Sequence, residues 1–142
     1  MPARLVRSDI LYGAAPYAYA SVAPPGSLIF TAGACPIDEN GRVTAAGDYV
    51  RQAADAMANL VTALAAAGAG LSDVLKSTVY VASADQRDLH AVWQVVHARF
   101  GAHDAPSTLL GVTVLGYAGQ LVEVEAVAVA GDPARSPKPR RS

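Results

Sequence analysis

Leu71-Ser-Asp-Val-Leu-Lys-Ser-Thr-Val-Tyr-Val81 is the stretch whose reading decides the fold. From Val74 onward it is rich in β-branched and aromatic residues and reads as a strand set between two segments of helical period. Upstream, between 48 and about 67, Val50, Ala53, Ala54, Met57, Leu60, Val61 and Leu64 step by three and four, while Arg51, Gln52, Asp55, Asn59 and Thr62 fall opposite. That spacing predicts an amphipathic helix laid on a sheet. Asp48 can cap its start, and Gly68 and Gly70 sit where the end of a helix needs a left-handed residue. Downstream, Ser83-Ala-Asp-Gln86 has the form of a capping box, opening a second helix over about 84–100 with Leu89, Val92, Trp93, Val96 and Phe100 as its buried stripe.

The flanking segments supply the rest of the sheet. Residues 19–22, the Pro24-Pro25-Gly26 turn and residues 28–32 read as a hairpin, which Pro36 and the Asp38-Glu39-Asn40-Gly41 cluster bring to an end. Pro106 opens a strand over 107–115, Gly116-Tyr-Ala-Gly119 turns the chain, and 121–129 closes the domain. The order ββαβαββ is an α+β layer architecture, one mixed sheet with two helices on one face. Leu109, Leu115, Leu121, Val127 and Val129 alternate along their strands, so the uncovered face is expected to pack against copies of the same chain.

The bulk properties narrow the class. A chain of 142 residues is one domain, here 1–130. Residues 131–142, with three prolines and four basic residues, form a tail expected to be disordered. Apolar residues make up 52% and charged residues 16%, against ~25% charged in an average domain, which again points to a subunit interface. No run reaches the ~18–20 apolar residues of a membrane span, and the first residues have no apolar stretch of the signal-peptide kind, so a cytoplasmic protein is expected. Cys35 is the single cysteine, which excludes an intrachain disulfide and a thiolate zinc site within one chain. A net charge of −1 gives no general attraction to nucleic acid.

Three blocks, Phe30-Thr-Ala-Gly33, the 71–81 stretch and Val122-Glu-Val-Glu-Ala-Val-Ala128, occur in an order and spacing that resembles the RidA/YjgF family over roughly residues 3–130. Ala15-Pro-Tyr-Ala18 is likewise similar to that family's Gly-Pro-Tyr-Ser segment. The resemblance implies a homotrimer with sites in the clefts between subunits, a small-molecule metabolite as partner, and no cofactor or metal. It also implies that Glu123 orients or activates water, that Tyr17 lines the cleft, and that Thr108, Leu110, Gly33 and Ala32 lie along the substrate. The chain departs from the family's pattern where Ala18, Ala32 and Ala34 replace polar residues. It departs again in Pro106-Ser107-Thr108, where the family's Pro-x-Arg offers a guanidinium fork that grips a carboxylate bidentately. Loss of such a charged hydrogen bond typically costs on the order of 2–5 kcal/mol, so free 2-imino acids are expected to be poor substrates. The backbone N–H near Leu110 remains available to a ligand oxygen.

Read from the residues alone, Glu123 and Glu125 are two apart in a strand and share a face, with Leu121, Val127 and Val129 around them. An apolar setting of that kind favours the neutral carboxyl and hence proton transfer; the alternative is an ordinary solvated strand face. Cys35 reads as a buried, inert thiol. His90 and His97 are about 10 Å apart along a helix, too far to share a metal, and are expected on its solvated face. His103 reads as an exposed loop residue, and Gly68-Ala-Gly70 follows a helix, so it is a helix stop and not a phosphate loop. Three functions follow. The first is an imine or enamine hydrolase (deaminase) of the RidA type; the second is a metabolite-binding trimer without turnover. The third is an endoribonuclease, disfavoured because no basic groove interleaved with aromatics lies outside the tail.

Overall fold

The computed structural model describes residues 3–7, 9–10, 13–14 and 16–130; the expected tail, 131–142, lies outside the described residues. The elements in chain order are β1 (Arg4–Val6), β2 (Ala20–Val22), β3 (Leu28–Phe30), α1 (Tyr49–Ala66), β4 (Val74–Val81), α2 (Gln86–Phe100), β5 (Ser107–Gly111) and β6 (Val122–Val129). A four-stranded sheet runs in the order β3-β6-β4-β5; β4 and β5 are parallel across the α2 crossover, and the other two pairings are antiparallel. Both helices cover one face. Ala53, Met57, Leu60 and Leu64 of α1 and Val92, Val96 and Phe100 of α2 close over Val79, Val81, Val122, Val124 and Ala126. This is the expected α+β architecture.

The helix ends follow their local chemistry. The carboxylate of Asp48 accepts the N–H of Arg51 at 3.0 Å, and Gly68 adopts φ +86 just past the end of α1. Gly70 plays no part in that stop; it is extended and begins a single 3₁₀ turn, Leu71–Asp73. The cap of α2 lies two residues later than the expected box. Asp85 accepts from Arg87 N–H at 2.9 Å, while the Ser83 hydroxyl accepts from Asp85 N–H and donates to Asp88. In α1, Val50 is half-exposed and Gln52 is fully buried, the reverse of the periodic reading. Gln52 is held there because its Oε1 accepts Leu121 N–H at 2.8 Å and its Nε2 donates to Gly119 O at 3.1 Å.

The expected hairpin does not form. β2 pairs with β1 in a separate two-stranded sheet, and β3 pairs with β6 instead. Pro24 and Pro25 between them have fixed φ and no N–H to give, so the connector leads the chain off one ladder and onto another. β5 ends at Gly111, not at 115, because its partner β4 ends at Val81; the Val112 N–H to Val81 O bond at 2.8 Å is the last between them. Of the residues assigned to the open face, Leu109 pairs with core residue Val79 and packs on the helix side, and Val129 is buried. Leu115 lies in the loop beyond β5. The open face instead presents Leu28, Phe30 and Leu110, with Phe30 73% exposed, beside Lys76, Thr78, Tyr80, Thr108, Glu123 and Glu125.

Candidate functional site

The open face takes its polar centre from strand alternation. β6 sends Val122, Val124, Ala126 and Ala128 into the core and leaves Glu123, Glu125 and Val127 on the other side. β4 places Tyr80 opposite Glu123 and Thr78 opposite Glu125. The two carboxylates therefore share a face as the spacing predicted, but each has its own donor.

Glu123 is shaped by an irregularity in the neighbouring strand. Phe30 pairs with Val127 and Ala34 bridges Val124, so four residue steps on one side match three on the other. The extra residue is a β-bulge over Thr31-Ala32-Gly33, a device that bends an edge strand and re-aims its side chains. The Thr31 hydroxyl takes up Ala126 N–H at 3.0 Å within it. Beyond the bulge Cys35 falls opposite Glu123, and its thiol donates to Glu123 Oε1 at 3.1 Å. Gly33 is pressed against the same side chain: a Cβ there would lie 2.6 Å from Glu123 Cδ and Oε1 and 2.8 Å from its Cγ. Only glycine leaves that room. Burial, then the hydrogen bond to Glu123 and its charge, push the Cys35 thiol up to about 11, against a smaller opposing effect of Gln120. The thiol therefore keeps its proton at neutral pH and serves as a hydrogen-bond donor to Glu123, a partner that the reading of Cys35 as an inert thiol did not include.

Glu125 is engaged by Tyr80, whose hydroxyl donates to its Oε1 at 2.5 Å. That bond, followed by burial and the nearby carboxylate charges, raises the phenol's pKa. A hollow of about 160 Å³ opens beside this pair, lined by Phe30, Thr31, Lys76, Thr78, Glu125 and Val127 among others.

On the far side of β4, Thr108 pairs with Thr78, and its hydroxyl accepts from Lys76 Nζ at 2.6 Å. Leu110 is 42% exposed, but its own N–H is not free. Ser77 N–H bonds Pro106 O and Val112 N–H bonds Val81 O, which fixes the parallel ladder so that Thr108 and Leu110 turn their backbone groups into β4. By the same alternation the N–H groups that face the outer edge are those of Ser107, Leu109 and Gly111. Ala32 is exposed in the bulge, next to Gly33.

Tyr17 is not brought to Glu123 within one chain. Its ring packs edge-on against Tyr19 at 5.8 Å and Trp93 at 6.4 Å, on the α2 side of the sheet. Ala18 is buried, with its N–H on Asp104 O, and so does not line the open face. His97 also leaves its expected solvated position: it stacks on Trp93 at 5.8 Å and hydrogen-bonds Asp104 at 3.2 Å, while Arg7 pairs with the other oxygen of that carboxylate. His90 is exposed, as expected. His103 is half-buried, not exposed, with Nε2 2.8 Å from Val74 O. Among the described residues no group of three or more His, Cys, Asp or Glu is placed to hold a metal ion, and no helix is long and apolar enough to cross a membrane.

Sequence reading missed Cys35, Lys76 and Tyr80. The signal for the two on β4 was their alternation with the core positions Ser77, Val79 and Val81, which puts them on the face of Glu123.

Comparison with known proteins agrees with this architecture. The chain is 34% identical over 110 residues to a RutC family protein of Pyrococcus horikoshii, covering 78% of this chain and 85% of that one. It is 35% identical over 115 residues to protein DfrA of Myxococcus xanthus, covering 80% and 85%. The structure of YyfB, a Rid family protein of unknown function from Yersinia pestis, superposes with a TM-score of 0.85 at 28% identity, covering 91% of this chain and 99% of that one. E. coli TdcF, solved with bound serine, superposes with a TM-score of 0.64 at 26% identity, covering 90% and 94%. The family described as "Endoribonuclease L-PSP" matches residues 9–130, and the chain belongs to this family, also called RidA/YjgF.

Proposed function

We propose that the protein is a small-molecule hydrolase that adds water to an imine, enamine or related electrophile, in clefts formed between the subunits of a homotrimer. The observation that carries this reading is the setting of Glu123, laid over Gly33 and held by the Cys35 thiol on an open sheet face. A carboxylate fixed at one oxygen has its other oxygen free to orient a water for attack. The edge N–H groups of Leu109 and Gly111 and the hydroxyl of Thr108 line the substrate, with Ala32 and Gly33 across from them. Exposed Leu28, Phe30 and Leu110 give the face an apolar rim suited to a second copy. Tyr17, on the other side of its own sheet, enters a cleft only from a neighbouring subunit, which fits a shared site.

Thr108 has no guanidinium, so a substrate that depends on a two-point grip of its carboxylate is turned over poorly. The test is turnover of imines generated in the assay from several amino acids and from their amides, by the wild type and by Glu123→Gln. Loss of turnover of about 100-fold or more in the variant is expected; unchanged turnover of every accepted compound removes the mechanism. One observation favours a second reading, binding without conversion: Ala32 brings no polar side chain to the bulge beside Glu123, and the Thr31 hydroxyl there is taken up by Ala126 N–H. A ligand recovered intact after long incubation separates the two.

A further inference from the structure

The open face is divided electrically by β4. On the β6 side stand Glu123 and Glu125 with the hydroxyl of Tyr80, and on the β5 side the Lys76 ammonium leans over Thr108. Lys76 makes no ion pair among the described residues, and its ammonium donates to a neutral hydroxyl, that of Thr108. An ammonium has three donors, so two remain for a ligand. Glu125, the nearest carboxylate by register, is already engaged by Tyr80.

Thr108 and Glu123 are two strands and two residues apart, roughly 12 Å between Cα atoms at ordinary strand spacings. The Lys76 ammonium lies on the Thr108 hydroxyl, so an anion bound there would leave the rest of a small molecule to extend over β4 toward Glu123. The hollow of about 160 Å³ beside this gap is lined by Lys76 together with Thr78 and Glu125.

We propose that Lys76 is the specificity-determining residue of this site: its ammonium, seated on Thr108, binds the anionic group of a small electrophile whose reacting carbon faces Glu123. The proposal rests on the hydrolase reading and names its substrate class. Unlike a guanidinium fork, an ammonium is a point charge without a preferred plane, so it accepts an anion at one point and tolerates different shapes behind it. Anionic substrates are thus held by one contact, more weakly than by a fork and more strongly than their uncharged analogues.

The test is binding and requires no turnover. Pyruvate and pyruvamide share a carbon skeleton and differ in charge; each is titrated against the wild type, Lys76→Met and Lys76→Arg by ligand-observed NMR. The wild type is expected to bind pyruvate about tenfold more tightly than pyruvamide. Lys76→Met removes that preference without weakening pyruvamide, and Lys76→Arg keeps it. The proposal is overturned if the wild type binds neither compound, shows no preference, or if the preference survives Lys76→Met. Failure of the hydrolase reading shows elsewhere, as unchanged turnover in Glu123→Gln with the pyruvate preference intact.

Discussion

The thiol of Cys35 lies directly opposite Glu123 and donates to its Oε1 at 3.1 Å, a contact that exists because one extra residue is inserted in the edge strand before it. The thiol is neutral while it makes this bond, and its pKa is pushed up from 9.0 to about 11. Folding therefore favours the protonated form. Its contribution to stability is complete below the unfolded pKa near 9.0 and is lost as pH rises through about 11. Alkylation by iodoacetamide reads this directly. In the folded protein the rate is expected to climb with a midpoint near 11, and in urea with a midpoint near 9.0. Coincident midpoints would show that the thiol is not held by Glu123.

The same contact bears on activity. Cys35→Ser keeps a donor and is expected to retain most of the turnover rate. Cys35→Ala leaves Glu123 Oε1 without it, and a loss of about tenfold is expected, the scale of one hydrogen bond to a charged group. Thermal melting of both variants separates this from mere loosening of the fold: equal melting temperatures with only the alanine variant slowed tie the loss to the missing donor.

Gly33→Ala probes the other constraint on Glu123. The added carbon would fall 2.6 Å from the carboxylate and 2.8 Å from Cγ, so the glutamate must swing away. Gly33 has no positive φ, and its backbone tolerates alanine. A loss of stability of about 1–3 kcal/mol from overpacking is expected, with a much larger effect on turnover. Thermal melting and kcat measured together check it; unchanged kcat would place Glu123 outside the chemistry.

The helices, β4 and β6 were legible because their patterns are local. Asp48 and Gly68 mark the ends of α1, and the alternation in Val122–Val129 puts Glu123 and Glu125 on one side. What escaped depends on partners far apart in sequence. Residues 28–30 pair with β6, about 100 residues on, and not with their neighbours at 20–22. The contacts of Cys35 with Glu123 and of Lys76 with Thr108 both follow from strand register, which no residue carries by itself. Gln52 sat on the polar side of a helical wheel, and only the loop it binds explains its burial.

That loop gives a stability test. Gln52 is fully buried and satisfies Leu121 N–H and Gly119 O immediately before the strand that bears Glu123. Gln52→Leu fills similar space but leaves both backbone groups unpaired, at about 1–3 kcal/mol each. Urea denaturation should show a fall of about 2–4 kcal/mol, within the range for broken buried polar networks. A change under about 0.5 kcal/mol would mean that water replaces both bonds.

Thr108→Arg tests the cation corner from the opposite direction. By itself the new guanidinium would enter a position already held by Lys76, whose Nζ stands 2.6 Å from the hydroxyl being replaced. Like charges at that range repel, so the arginine will be turned aside, and a small gain in hydrolysis of 2-imino acids is expected. In Thr108→Arg with Lys76→Met the repulsion is gone and the planar fork can settle on a carboxylate. The double variant should therefore exceed the single one, although Lys76→Met alone lowers activity on anionic substrates. This reversal of sign is a coupling that contact between the two positions predicts and independent sites would not show. Measured kcat/KM for the four proteins of the cycle decides it, and additive effects would mean that Lys76 and Thr108 do not share one site.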